Sequence, residues 1–360
     1  MTDPKLPCAI LGASGYIGQH FARLLDDHPW FGSPALVATE RSEGRTLADV
    51  WQLAEAPPAS LQDRRLVARS AAALARQGVR VAFSAVPAGT AGPLESELVR
   101  RGVSVFSNSA DHRMDPEIPL LVPEVNADHL NLVGSARARR SILVTNPNCS
   151  TTGLVLALAP VAPLLAPRAV HVATYQALSG AGYPGVPSLS IADNVVPFIR
   201  EEEEKIERET DRILGRRKGR VVVPSRVPVL AHCARVGTRE GHLEAVTVEA
   251  TRRPKLRELQ HAWTTFDPLH SLGLPTAPCP PIILRSEVDR PQPLRDRWAG
   301  HPARARGMAA VVGRVRWDPP FLRFFVLSHN AVRGGAGASV LNAELAFERG
   351  LIGRTGESGK

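Results

Sequence analysis

Apolar and polar residues alternate in short blocks along the first third of the chain. Residues 8–12 form a brief apolar run that ends in glycine, and residues 16–27 place Ile17, Phe21, Leu24 and Leu25 on one helical face. Runs at 35–39, 79–87 and 103–107 predict further strands, with a helix at 91–101. Strands alternating with helices predict a parallel sheet covered on both faces.

The pattern changes after residue 149. Residues 150–165 predict one buried helix behind a loop. Strand-like runs follow at 169–177, 243–250, 309–316 and 322–328, with helices at 201–214 and 255–265. This reads as an α+β domain with a largely antiparallel sheet. Residues 337–349 predict a last helix that returns to the first domain. No internal repeat is apparent.

A length of 360 residues suits two domains, and 44% hydrophobic with 22% charged residues is ordinary for a globular chain. Residues 1–7 contain no signal-like apolar core. The longest apolar run, 153–167, is shorter than a membrane span and carries Pro160 and Pro163. Cys8, Cys149, Cys233 and Cys279 form no C-x-x-C pair, so reduced thiols in a cytoplasmic setting are expected, with no metal site. The net charge of +9 raises the question of nucleic acid. Only five of the 44 basic residues are lysine, and the Arg-rich stretches 212–226 and 285–306 lack a series of base-stacking aromatic residues. The charge therefore implies solvated surface or attraction of small anions, not nucleic-acid binding.

Gly12-Ala-Ser-Gly15-Tyr-Ile-Gly18 lies between the first strand and the first helix. Gly12 permits a tight turn, Gly15 lets backbone approach a pyrophosphate, and Gly18 lets the helix pack on the sheet. Such a turn presents helix N-terminal N–H groups to phosphate. The second strand runs into Glu40-Arg41-Ser42. An acid there suits ribose hydroxyls, whereas Arg41 followed by Ser42 favours a 2′-phosphate and hence NADP.

Asn146-Pro-Asn-Cys149-Ser-Thr-Thr-Gly153 opens the apolar helix. A cysteine there has its thiolate favoured by the helix dipole, and the free N–H groups could hold an oxyanion. A base is also required. Most of the 11 histidines must be bystanders; His242, just before a strand, is one candidate.

These motifs are identified as those of the aspartate-β-semialdehyde dehydrogenase family, in the branch common in archaea and fungi. The similar stretches run nearly end to end, and the most specific are Asn146–Gly153 and Gln176-Ala-Leu-Ser-Gly-Ala-Gly-Tyr-Pro-Gly185. The resemblance implies an NADP-binding Rossmann-type α/β domain at 1–148, completed by a C-terminal helix at 331–360. It implies a catalytic and dimerisation domain at 149–330, within a homodimer or homotetramer. The implied reaction is NADPH-dependent reduction of L-aspartyl phosphate to aspartate semialdehyde and phosphate through a cysteine thioester. By carry-over, Cys149 is the nucleophile, His242 the general acid/base, and Gln176 orients the acyl group. Arg235 would hold the substrate carboxylate, Glu202 or Glu203 the amine, and Arg113 and Lys205 the phosphate. Gly180 and Asn330 would approach the nicotinamide. Ser14, Tyr16, Ile17, Ser84, Ala85, Pro87 and Ser179 would complete the cofactor site.

Two departures stand out. The family segment before the catalytic histidine is replaced by Arg235-Val-Gly-Thr-Arg-Glu-Gly-His242, while Arg226-Val-Pro-Val229 upstream imitates its first half. The family's distance from arginine to histidine implies that the functional arginine is Arg235. Residues 298–304 resemble a short insertion. The alternatives are an acyl-thioester reductase similar to malonyl-CoA reductase, for which no phosphate pocket is needed, and an NADP-binding regulator without activity.

Overall fold

The apolar runs of the first third become β1 (Cys8–Leu11), β2 (Ala35–Ala38), β3 (Val67–Ala68), β4 (Val81–Ser84), β5 (Ser104–Ser107) and β6 (Leu143–Thr145). They form one sheet in the order β3-β2-β1-β4-β5-β6, with every pair parallel. Every residue of β1, β4 and β5 is buried, as expected of strands covered on both faces. Helices α1 (Tyr16–Leu25), α2 (Ala71–Arg76) and α3 (Ala91–Arg100) alternate with the strands. Leu74 and Leu98 from the helices pack with Leu11 and Val105 from the strands. The last helix, Gly337–Glu348, returns to this sheet. Glu344 meets His28 at 2.9 Å in a buried pair, and Phe347 lies 5.1 Å from the Trp30 ring.

This computed structural model describes residues 5–134 and 141–353. It divides into one unit of Met1–Leu121, Asp128–Asn146 and Ala336–Lys360, and another of Val122–Ala127 and Pro147–Gly335. Residues 122–127, 147–148 and 331–335, expected from the sequence in the first domain, fall in the second unit. The end of the expected 331–360 segment, from 354 on, lies outside the described residues.

The second unit contains α4 (Pro123–Asn126), α5 (Cys149–Leu158), α6 (Ala162–Leu165), β7 (Pro167–Gln176), α7 (Ser188–Ile191), α8 (Glu202–Ile213) and the hairpin β8 (Arg216–Lys218) and β9 (Val221–Val223). It continues through β10 (Val229–Arg235), β11 (His242–Ala250), α9 (Leu256–Thr265), β12 (Ile282–Leu284), α10 (Pro293–Asp296), β13 (Ala310–Asp318) and β14 (Phe321–Ser328). The single helix expected at 150–165 is broken into α5 and α6. Proline lacks the N–H that a continuous helix needs, and Pro163 instead starts a new turn. Among the described residues, no helix is long and apolar enough to cross a membrane.

The six-stranded sheet has the order β10-β7-β11-β14-β13-β12. Its three central ladders are antiparallel and its two outer ladders parallel. Along β11 the residues alternate between buried and half-buried, so the two faces differ. Helix α9 lies against the closed face: Trp263 packs edge-on to Phe324 at 5.3 Å and donates its indole N–H to Ala157 O at 2.8 Å. The opposite face carries the row His232, Ala173, Ala245 and Phe325, in register across four strands. Tyr175 and Leu230 on that face are exposed.

Candidate active site

Three strand ends meet at one edge of this sheet. Gln176 ends β7 in register with Arg235, which ends β10, and His242 starts β11 opposite Ser328. The connection 236–241 crosses the end of β7, where Val236 N–H donates to Gln176 O and Leu178 N–H to Thr238 O. Residues 93 positions apart are thereby brought together: Cys149 Sγ lies 3.2 Å from His242 Nε2.

Cys149 is the first residue of α5. Asn148 caps that helix, its Oδ1 accepting from Ser150 N–H at 2.9 Å and Thr151 N–H at 3.2 Å. The cap itself is held twice by α8: its backbone N–H donates to Glu209 at 2.6 Å and its side-chain amide to Glu202 at 2.8 Å. The first-turn N–H groups of Ser150 and Thr151 thus serve the cap, while the His242 imidazole faces the sulfur. Behind Cys149, a methyl group on Gly334 would fall 2.6 Å from the cysteine Cβ, so glycine is required there. The adjacent Arg333 makes a bidentate, fully buried pair with Glu124 at 2.9 and 2.7 Å, which fixes that turn.

The His242 ring is held at both nitrogens. Its Nδ1 accepts from Ala177 N–H at 3.0 Å, so a neutral ring carries its proton on Nε2, facing the sulfur. Burial, reinforced by the charge of Arg235, pushes this imidazole down to about 3, and the neutral form is the resident one. Glu244, two residues along β11, is pushed well above the carboxylate range by burial first and by Glu202 second.

The His242 shift has a consequence for stability. Its folded value lies below the ordinary histidine value of roughly 6.5, so between about 3 and that value the unfolded chain binds more protons. Stability should therefore rise with pH across this window and fall as acid is added. Urea unfolding from pH 4 to 7 should show a smaller pH slope for His242→Gln than for the parent. Identical slopes would contradict the assignment.

Arg235 is buried and donates to Ala177 O at 2.7 Å, and a methyl on Gly180 would lie 2.7 Å from its Nη1 and 3.2 Å from the His242 ring. Asn330 ties this corner together, donating to Ser179 Oγ at 2.8 Å and accepting from Gly241 N–H at 2.9 Å. Gln176 donates to Ser150 Oγ and to Glu202 at 2.9 Å, leaving its buried Oε1 without a protein acceptor–donor match among the described residues. The ambiguous glutamates separate cleanly. Glu202 faces the Cys149 cap, whereas Glu203 accepts from Cys233 N–H on β10 at 2.9 Å. Lys205 pairs with Glu201 at 3.2 Å, and Arg113, in the first unit, donates to Asn108 O at 2.7 Å. Arg226, the imitator, is exposed in a turn where its N–H donates to Asp211 at 2.6 Å. Residues 298–304 include Trp298, whose ring lies 4.3 Å from His329.

In the first unit, Gly12 has φ +81°, and a methyl there would lie 2.9 Å from Ala85 O. At Gly18 a methyl would fall 2.0 Å from Gly12 O, which explains how closely α1 packs on the turn. Gly15 is the exposed N-cap of α1, followed by Tyr16 and half-buried Ile17, with half-buried Ser14 before it. Ser84 closes β4, ahead of half-buried Ala85 and exposed Pro87. Arg41 and Ser42 sit in a short turn after β2, with Arg41 exposed. The open glycine turn at the start of a ten-residue helix fits a dinucleotide phosphate.

Asn148 and Glu209 have roles that sequence reasoning left unassigned. Residues 202 and 209 are seven apart on one helix, hence on one face, and that spacing was the available signal.

Comparisons with known proteins agree with this architecture. Residues 7–133 match the semialdehyde dehydrogenase NAD-binding domain, and residues 158–333 the semialdehyde dehydrogenase dimerisation domain. Aspartate-semialdehyde dehydrogenase from Archaeoglobus fulgidus is 43% identical over 349 residues, covering 95% of this chain and 98% of that protein. A malonyl CoA reductase (NADP) from Metallosphaera sedula is 37% identical, covering 96% and 98%. The solved structure of aspartate semialdehyde dehydrogenase with NADP from Candida albicans superposes with a TM-score of 0.86 at 34% identity, covering 96% of this chain and all of that one. With such identity sustained over nearly its whole length, the chain belongs to the aspartate-semialdehyde dehydrogenase family.

Proposed function

We propose that this chain reduces L-aspartyl phosphate to L-aspartate semialdehyde and phosphate with NADPH, in the biosynthesis of lysine, threonine and methionine. The observation that carries the reading is the contact between Cys149 and His242 at the start of α5. A thiolate attacks the acyl carbon and phosphate leaves, giving a thioester on Cys149. NADPH, when bound, supplies the hydride. The oxyanion formed at the carbonyl then collapses, releasing aldehyde and regenerating the thiolate. In this direction carbon and sulfur need no proton, and the departing phosphate takes one from solvent. His242 Nε2–H therefore serves first as a donor to sulfur and to the adjacent oxyanion. Arg235 binds the substrate carboxylate, Glu202 the amine, and Gln176 orients the acyl group. Arg113 and Lys205 receive phosphate.

A thioester substrate is the alternative, motivated by the malonyl CoA reductase relative. Supplying either phosphate or coenzyme A, with aspartate semialdehyde or malonate semialdehyde and NADP⁺, separates the two. NADPH should form with aspartate semialdehyde and phosphate. Formation only with malonate semialdehyde and coenzyme A would reverse the assignment. A joined thiol and imidazole argue against an inactive regulator.

Gly12, Gly15 and Gly18 hold the NADP pyrophosphate, with Ser14, Tyr16, Ile17, Ser84, Ala85 and Pro87 around it. Ser179, Gly180 and Asn330 serve the nicotinamide, and Arg41 with Ser42 takes the 2′-phosphate. Arg41→Ala should weaken NADP⁺ binding roughly tenfold, as for loss of a charge-assisted hydrogen bond, and leave NAD⁺ binding nearly unchanged. Equal losses, measured by fluorescence titration, would contradict this placement.

The open sheet face suits a homodimer, or a homotetramer built from such pairs. Tyr175 and Leu230 would be covered by a second copy. Ala245→Glu places a charge in the middle of that face and should shift the protein to monomer in analytical ultracentrifugation. An unchanged sedimentation coefficient would exclude this face. Four free cysteines suit a reducing, cytoplasmic location.

A further inference from the structure

Between α9 and β12 the chain brings three different metal-ligating side chains together, within the second unit and outside the residues assigned to the reaction. Asp267 and His270 lie one turn apart, with His270 Nδ1 3.2 Å from Asp267 Oδ2. Cys279 returns to them, its Sγ 3.3 Å from the same oxygen and 3.7 Å from the same nitrogen. Its backbone is held there by donation from Cys279 N–H to His301 O at 2.8 Å.

The spacing of these atoms matters. A tetrahedral zinc ion with bonds of ~2.0 Å to N and O and ~2.3 Å to S sets such donors ~3.3–3.6 Å apart. The three edges observed here depart from that triangle by only a few tenths of an ångström. The donor types are equally selective. A thiolate and an imidazole suit zinc-like ions, whereas calcium and magnesium require oxygen ligands. We propose that Asp267 Oδ2, His270 Nδ1 and Cys279 Sγ bind a divalent transition metal of the zinc class, with the fourth position open to water.

The Cys279 thiol donates to Asp267, and that hydrogen bond raises the thiol above its usual range. Binding replaces the S–H bond with a metal–sulfur bond and releases one proton, with no redox change. Affinity should therefore fall as pH is lowered. The spacing Asp-x2-His-x8-Cys resembles no paired zinc motif, so the site is visible only once the loop is folded.

Cobalt(II) is the probe, because thiolate ligation gives it a near-ultraviolet charge-transfer band. Cys149, which also lies beside an imidazole, is removed by using Cys149→Ala protein kept reduced with a phosphine. Cys8 and Cys233 are buried with thiols pushed up to about 12, and do not compete. One equivalent of cobalt should produce the band, and added zinc should displace it. Cys279→Ser in the same background should abolish the band, and His270→Ala should weaken binding at least tenfold. No band in the Cys149→Ala protein, or a band that survives Cys279→Ser, would overturn the proposal. Should Cys149→Ala not fold, parent and Cys279→Ser proteins are compared instead: loss of one bound equivalent supports the site, and equal stoichiometry refutes it.

Discussion

Cys149→Ala is expected to lower turnover by roughly 10⁴-fold or more, the order seen when the nucleophile of a covalent mechanism is removed. The substitution deletes one sulfur from the first residue of α5 and leaves the cap intact, since Asn148 is held through its own backbone and side chain. NADP⁺ affinity and the thermal midpoint should therefore stay close to those of the parent. Steady-state assays with cofactor titration on the same sample measure both. Turnover within tenfold of the parent would mean that the thioester route is wrong.

Arg235→Lys is expected to lower kcat/KM by roughly 10²-fold, the order that a small misplacement of substrate causes. A planar guanidinium can grip a carboxylate with two parallel hydrogen bonds, and an ammonium cannot reproduce that fork. Arg235 is buried beside the His242 ring and Gly180, so a shorter head group has little room to compensate. Arg226→Lys should stay within about threefold of the parent, as surface substitutions usually do. Its side chain is exposed, and the turn is held by its backbone N–H instead. A strong effect at Arg226 with none at Arg235 would show that the carboxylate site has been rebuilt.

Much of this molecule is legible in the sequence, for identifiable reasons. Buried parallel strands leave continuous apolar runs, so β1, β4 and β5 stand out, and the glycines between β1 and α1 mark a turn with a positive φ at Gly12. Strand β10 does not stand out. It is an edge strand whose Val-Leu-Ala-His-Cys-Ala-Arg pattern alternates weakly. Its protection is hidden in α8, where Glu203 and Glu207 accept from Cys233 and Ala231 N–H, while Asp211 holds the turn before the strand. In the sequence those acids read as a solvated helix face. The same helix turns Glu202 and Glu209 toward Asn148, a division that one residue of register decides. Cys149 and His242 are likewise legible as residue types and not as a pair. Bringing Cys149 to His242 requires β7, β10 and β11 to meet at one sheet edge, which no local spacing encodes.

A thioester route must pass through a covalent intermediate on Cys149, and that intermediate can be trapped. Aspartate semialdehyde and NADP⁺ are mixed with the protein in the absence of phosphate, quenched in acid and digested for mass spectrometry. The thioester route should give a burst of NADPH of up to one equivalent, an aspartyl adduct on the peptide that contains Cys149, and loss of that adduct when phosphate is added. NADPH formed without any adduct, or an adduct on Cys279 that phosphate does not discharge, would contradict it.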